Sequence, residues 1–99
     1  MACEVIFHRL VQQDMNDVRQ YYIDEVGERL ADRFYEAFLS VVDRAGANPK
    51  YFHEFRPPLR RANIPKFPYH FLFRETLNGI RILVLRHDKR HPSYGLSRK

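Results

Sequence analysis

The stretch His87-Asp88-Lys89-Arg90-His91-Pro92-Ser93-Tyr94-Gly95 gathers two imidazoles, two fixed cations, a carboxylate and a phenol. Side chains of these kinds cut RNA through its own 2′-hydroxyl. That reaction needs a base, an acid for the leaving 5′-oxygen and cations on the phosphate. His87 or His91 suits the acid or the base, Arg81 or Arg90 the phosphate clamp, and Tyr94 a stacking or proton-transfer role. A plainer reading stands beside it: His87 ends a strand, and Pro92 and Gly95 mark an ordinary turn.

Metal chemistry has little to build on. His8, His53, His70, His87 and His91 fall at no recognised metal-ligand spacing, and Cys3, the single cysteine, rules out a cysteine-rich zinc site. The chain has neither a glycine-rich phosphate loop nor a nucleophile elbow. The expectation is a protein that uses no metal and no cofactor. One cysteine also precludes an intramolecular disulfide and points to a reducing compartment.

Charge divides along the chain. Residues 1–55 carry six Lys/Arg against ten Asp/Glu, whereas residues 56–99 carry eleven Lys/Arg against Glu75 and Asp88 alone. So steep an asymmetry suggests a basic surface for an anionic partner, either nucleic acid or an acidic protein segment. Arg61, Lys66, Arg74, Arg81, Lys89 and Arg90 are its candidate target-binding residues. Guanidinium forks suit phosphate oxygens, and Tyr69, His70 and Tyr94 suit stacking on unpaired bases. A solvated face that keeps the protein soluble explains the same charges less specifically.

Positioning these groups requires a fold, and 99 residues suffice for one domain spanning 1–99. The 44% hydrophobic content, with eight Phe and six Tyr, fits a folded chain. Glu4 and Arg9 interrupt the first apolar residues, unlike a signal peptide, and Ile82-Leu83-Val84-Leu85 is too short to span a bilayer. A cytoplasmic protein without membrane contact is expected.

Val5-Ile6-Phe7 reads as a strand. Val11, Met15, Val18, Tyr22 and Val26 recur at helical spacing, with Asp14 and Asp17 near the end that the helix dipole favours. After Gly27, a second stripe (Leu30, Phe34, Ala37, Phe38, Val41, Ala45) closes at Gly46 and Asn48-Pro49. From Asn48 to Pro58 the prolines argue against any helix. Leu59–Ile64, Tyr69–Glu75 and Ile80–His87 are strand-like, with Asn78-Gly79 a hairpin signal between the last two. The order is β-α-α-β-β-β: an α+β fold, a helical hairpin on one face of a mostly antiparallel four-stranded sheet.

An even-length hairpin loop sets odd residues of the third strand against even residues of the fourth. Tyr69, Phe71 and Phe73 then share the helix-covered face with Ile80, Ile82 and Val84. His70, Leu72 and Arg74 share the open face with Arg81, Leu83, Leu85 and His87. On that reading Leu72, Leu83 and Leu85 are apolar anchors for a partner.

Leu59-Arg60-Arg61, Phe67-Pro68-Tyr69, Arg74 and the closing His87-Asp88-Lys89-Arg90-His91-Pro92 together resemble the RelE/ParE toxin superfamily, and within it the ParE-like plasmid-stabilisation group. Asp14, Arg33-Phe34 and Pro49 extend the resemblance over nearly the whole chain. It implies the same β-α-α-β-β-β architecture and the toxin of a type II toxin–antitoxin module that arrests growth, neutralised by an acidic antitoxin. Leu72, Leu83 and Leu85 are then the antitoxin anchors. A ParE-like member inhibits DNA gyrase without catalysis. A RelE-like member cuts messenger RNA on the ribosome, with His87, Arg90, Tyr94 and Arg81 as the catalytic set. The closing motif leans towards the ParE-like side. A non-toxic nucleic-acid-binding module is a third reading.

Overall fold

The first apolar stripe becomes α1, Val11–Glu25, which buries Val11, Met15, Val18 and Tyr22. This was seen in a computed structural model, which describes residues 3–99. Asp14 is also buried in its first turn. Val26 and Gly27 turn the chain into α2, Glu28–Ala47, which buries Ala31, Phe34, Phe38, Val41, Val42 and Ala45. The helix includes Gly46, slightly beyond the expected stop. Pro49–Tyr51 form a short 3-10 turn with proline at its start, so this segment is less irregular than its prolines suggest.

The strands are β1 (Glu4–Phe7), β2 (Arg60–Asn63), β3 (Tyr69–Glu75) and β4 (Gly79–His87). They line up as β1-β4-β3-β2, with β1 parallel to β4 and the other pairs antiparallel. The expected α+β architecture is therefore the observed one. Gly79 is required where β1 meets β4, because a Cβ there would lie 1.9 Å from the Glu4 carbonyl oxygen. The helices cover one face over an aromatic core in which Phe34, Phe71 and Phe73 are fully buried. Phe34 meets Tyr69 edge-on at 5.2 Å, and Phe38 meets Phe71 at 5.5 Å.

The face assignment needs correction. At the hairpin tip Phe73 pairs with Ile82, Arg74 with Arg81 and Glu75 with Ile80, as an even loop requires. The register then shifts between Leu72 and Phe73, so that Leu72 pairs with Val84, Phe71 with Leu85 and Tyr69 with His87. An extra residue on β4 reverses the facing of everything beyond it. Leu85 consequently joins the helix-side core, while Val84 lies outside that cluster.

Residues 88–99 form a strap folded back against β4. Gly95, at φ +83°, lies against Val84, where a Cβ would sit 2.6 Å from the valine methyl. Arg98 donates to the Leu83 carbonyl at 3.0 Å, and Arg81 Nε donates to the main-chain oxygen of Lys99 at 2.9 Å. Leu72, Leu83 and Val84 are all buried. Among the described residues, no helix is long and apolar enough to cross a membrane.

Candidate functional site

β4 delivers His87 to the mouth of a cleft that the strap and α1 complete. The cleft, of about 210 Å³, is lined by Asp14, Asp17, Val18 and Tyr21 of α1, Tyr69 of β3, Leu85, Arg86 and His87 of β4, and Arg90 and Tyr94 of the strap. Three of the four candidate catalytic residues, His87, Arg90 and Tyr94, therefore meet. Arg81 does not: six residues back along β4, it lies about 20 Å away at strand rise.

Within the cleft, the guanidinium of Arg90 lies over the Tyr94 ring, 4.0 Å from its centroid. The His87 ring meets Tyr69 edge-on at 5.0 Å, and its Nδ1 accepts the Lys89 N–H at 3.0 Å. That bond leaves the proton of the neutral ring on Nε2. Asp14 is engaged by Arg98, whose NH1 and NH2 donate to its two oxygens at 2.6 and 3.1 Å, and it accepts the Leu85 N–H at 3.0 Å. These bonds hold the Arg98 guanidinium above its ordinary range.

Behind the cleft runs a buried polar chain that sequence reasoning missed. Arg86 is only 5% exposed. Its NH1 donates to the carbonyls of Pro92 at 2.8 Å and Tyr94 at 2.9 Å, with a longer bond to His91. Its Nε donates to His70 Nε2 at 2.9 Å. His70, 1% exposed, has its Nδ1 2.8 Å from Asp88, which also pairs with Arg61 at 3.3 Å. Because Nε2 accepts, Nδ1 carries the proton and donates to the carboxylate. Burial lowers the His70 pKa, opposed by the Asp88 bond and reinforced by the nearby Arg61 and Arg86 charges. Burial likewise lowers Arg86, which remains a cation because a guanidinium does not deprotonate in proteins. Alternating apolar and polar residues on β3 signalled one open face, but nothing local announced that the strap would cover it.

The other predicted binding residues are scattered. Lys66 projects from the turn before β3, Arg61 is tied to Asn63 and Asp88, and Lys89 and Arg90 are exposed beyond β4. Arg74 and Arg81 oppose each other near the hairpin tip. Leu72, Leu83 and Leu85, expected on an open face, are all buried: the strap covers the face, and the register shift sends Leu85 into the core. Among the described residues, no three His, Cys, Asp or Glu side chains could hold a metal ion together.

A second recess lies where the end of β1 and the start of α1 meet α2. It holds about 290 Å³ between Phe7, Val11, Met15, Tyr35, Phe38 and Leu39, beside Arg9. Phe7, Tyr35 and Leu39 are about two-fifths exposed (42%, 42% and 38%), and β1 is an edge strand.

No family model matches the chain. Toxin ParE2 of Mycobacterium tuberculosis, in the CDC 1551 and H37Rv strains, is 29% identical over 87 residues, covering 87% of this chain and 82% of the relative. A solved structure described as the chromosomal ParDE TA system from P. aeruginosa matches with a TM-score of 0.76. That match covers 86% of this chain and 95% of the other at 16% identity, a likeness of fold alone. The sequence likeness is thus to a ParE toxin, and the fold is that of the ParDE structure.

Proposed function

We propose that this chain is the toxin of a type II toxin–antitoxin module, arresting growth in the cytoplasm by binding DNA gyrase rather than by cutting RNA. One observation carries the choice: the cleft has few free cations for a phosphate. Arg86 spends its donors on main-chain carbonyls and His70, Arg98 is paired with Asp14, and Arg81 is remote. Arg90 remains, with Asp17 in the same cleft opposing an anion. Phosphoryl transfer needs unspent cationic donors aimed at the phosphate, and a single exposed arginine supplies few. A stacked Arg–Tyr pair in a shallow cleft suits a protein interface, where these residue types dominate binding energy.

The endoribonuclease reading keeps one specific support, the meeting of His87, Arg90 and Tyr94 in one cleft. An acidic antitoxin fits either reading, because the basic half of the chain steers it. With Leu72, Leu83 and Leu85 buried, the recess beside Phe7 and the edge of β1 offer its apolar anchors and an additional strand. Induced expression should arrest growth, with purified protein inhibiting gyrase supercoiling and messenger RNA remaining whole. Ribosome-dependent RNA fragments with unaffected supercoiling would reverse the choice.

A further inference from the structure

The strap is held through a buried histidine. Arg86 is the buried cation that grips the strap carbonyls, and His70 Nε2 is the acceptor for its Nε–H. That bond requires an unprotonated Nε2. A proton there would face the Arg86 N–H donor-to-donor and set two cations side by side in a buried site.

We infer that His70 is a proton-operated latch: neutral, it anchors Arg86 and keeps the strap closed; protonated, it pushes Arg86 away and frees the strap that presents Arg90 and Tyr94. His70 is thus a positioning residue, acting on the cleft through Arg86. The inference concerns the strap itself and stands whichever target the protein has.

The surrounding groups set the direction. Arg86 from β4 and Arg61 from β2 oppose a proton on His70, as does burial, while Asp88 favours it. Arg56 adds positive charge that also acts on Arg86. The closed state is therefore the neutral one, and acid opens it. His87 and His91 lie at the strap's root and within it, and each accepts a main-chain N–H through Nδ1. A variant of His91, the imidazole within the strap, separates its contribution from that of His70.

Nitrogen-15 relaxation dispersion on the full chain reads the open population at Tyr94, Leu96 and Arg98, whose N–H groups bond within the strap. Opening coupled to one proton makes that population rise by up to about tenfold per pH unit as pH falls below about 6.5, the ordinary histidine value, while α2 amides show no exchange. His70→Gln keeps an acceptor for Arg86 but takes up no proton, so its strap should ignore pH. Asp88→Asn removes the anion that favours the imidazolium and should move the opening to lower pH, which keeps the test alive if His70→Gln does not fold. His91→Asn should leave the response in place. A wild-type strap indifferent to pH overturns the latch. So does a response that survives His70→Gln, disappears with His91→Asn, keeps its midpoint in Asp88→Asn, or spreads equally to α2.

Discussion

Arg98 and Asp14 lie 84 residues apart and meet through two hydrogen bonds, of 2.6 and 3.1 Å, at the edge of β4. β1 pairs with β4 only as far as Ile82, and this ion pair serves the next main-chain groups. Asp14 takes the Leu85 N–H and Arg98 the Leu83 carbonyl, so a side-chain pair continues where strand pairing ends. The Asp14 and Arg98 side chains are only 5% and 10% exposed. Removing one partner leaves a buried charge unpaired. Arg98→Ala should therefore cost about 3–5 kcal/mol in denaturant unfolding, and Asp14→Asn combined with Arg98→Met markedly less. Equal losses in the single and double variants would show that the pair is not coupled.

Gly95 and Gly79 fail differently when enlarged. Gly95→Ala places a methyl on Val84 at a left-handed φ, so the strap should lift while the helix-side core persists. Gly79→Ala drives a methyl into the Glu4 main chain and should unzip β1 from β4. Thermal melts with amide exchange distinguish the two: protection disappears first from residues 90–98 in one variant and from 4–7 in the other.

Most of the fold was legible because its signals are local and periodic. The stripes of α1 and α2 and the Asn78-Gly79 turn need only neighbouring residues to be read. The facing of β4 beyond Ile82 was not legible, because a bulge is a pairing event that side-chain types barely mark. That single residue turned Leu85 from a supposed anchor into core. The meeting of His87, Arg90 and Tyr94 was visible in their closeness along the chain. The loss of Arg81 followed from its distance along β4, whereas the burial of Arg86 and His70 depended on where the strap folds back.

Acid should weaken the protein. Burial lowers the pKa of His70 below its ordinary 6.5 and that of His8 likewise, so each is more readily protonated in the unfolded chain. Where the unfolded state binds more protons, stability rises with pH. The stabilisation is complete above about pH 7 and fades as pH falls through 6.5 towards the lowered folded values. For His70 the slope is at most about 1.4 kcal/mol per pH unit. Urea midpoints in His70→Gln should vary less with pH across this window than those of the wild type; equal dependence would remove His70 from the account.

Antitoxin capture should depend on the recess beside β1. Tyr35→Asp and Leu39→Asp alter half-exposed side chains, so thermal stability should change little. Affinity for a co-purified antitoxin should nevertheless fall by more than about tenfold, as expected when an apolar anchor is lost. The association rate should decline with salt, because steering by the basic half acts at long range. Undiminished affinity in both variants would move the anchor elsewhere.

His87 separates the two mechanisms more cleanly than any arginine. A binding surface and a catalytic one both lose from Arg90→Ala or Tyr94→Ala, since the stacked pair fills the cleft in either case. Only catalysis needs the free Nε2 of His87. If the cleft is an interface, His87→Gln should alter gyrase inhibition by no more than a few fold, while Arg90→Ala and Tyr94→Ala each weaken it by more than about tenfold. If the cleft cuts RNA, His87→Gln removes the acid or base and should lower the cleavage rate by about 10²–10⁴ while antitoxin binding persists. Supercoiling inhibition and ribosome-dependent cleavage, measured on the same three variants, give opposite rank orders under the two readings. Gyrase inhibition in which His87→Gln is the mildest of the three is the expected result.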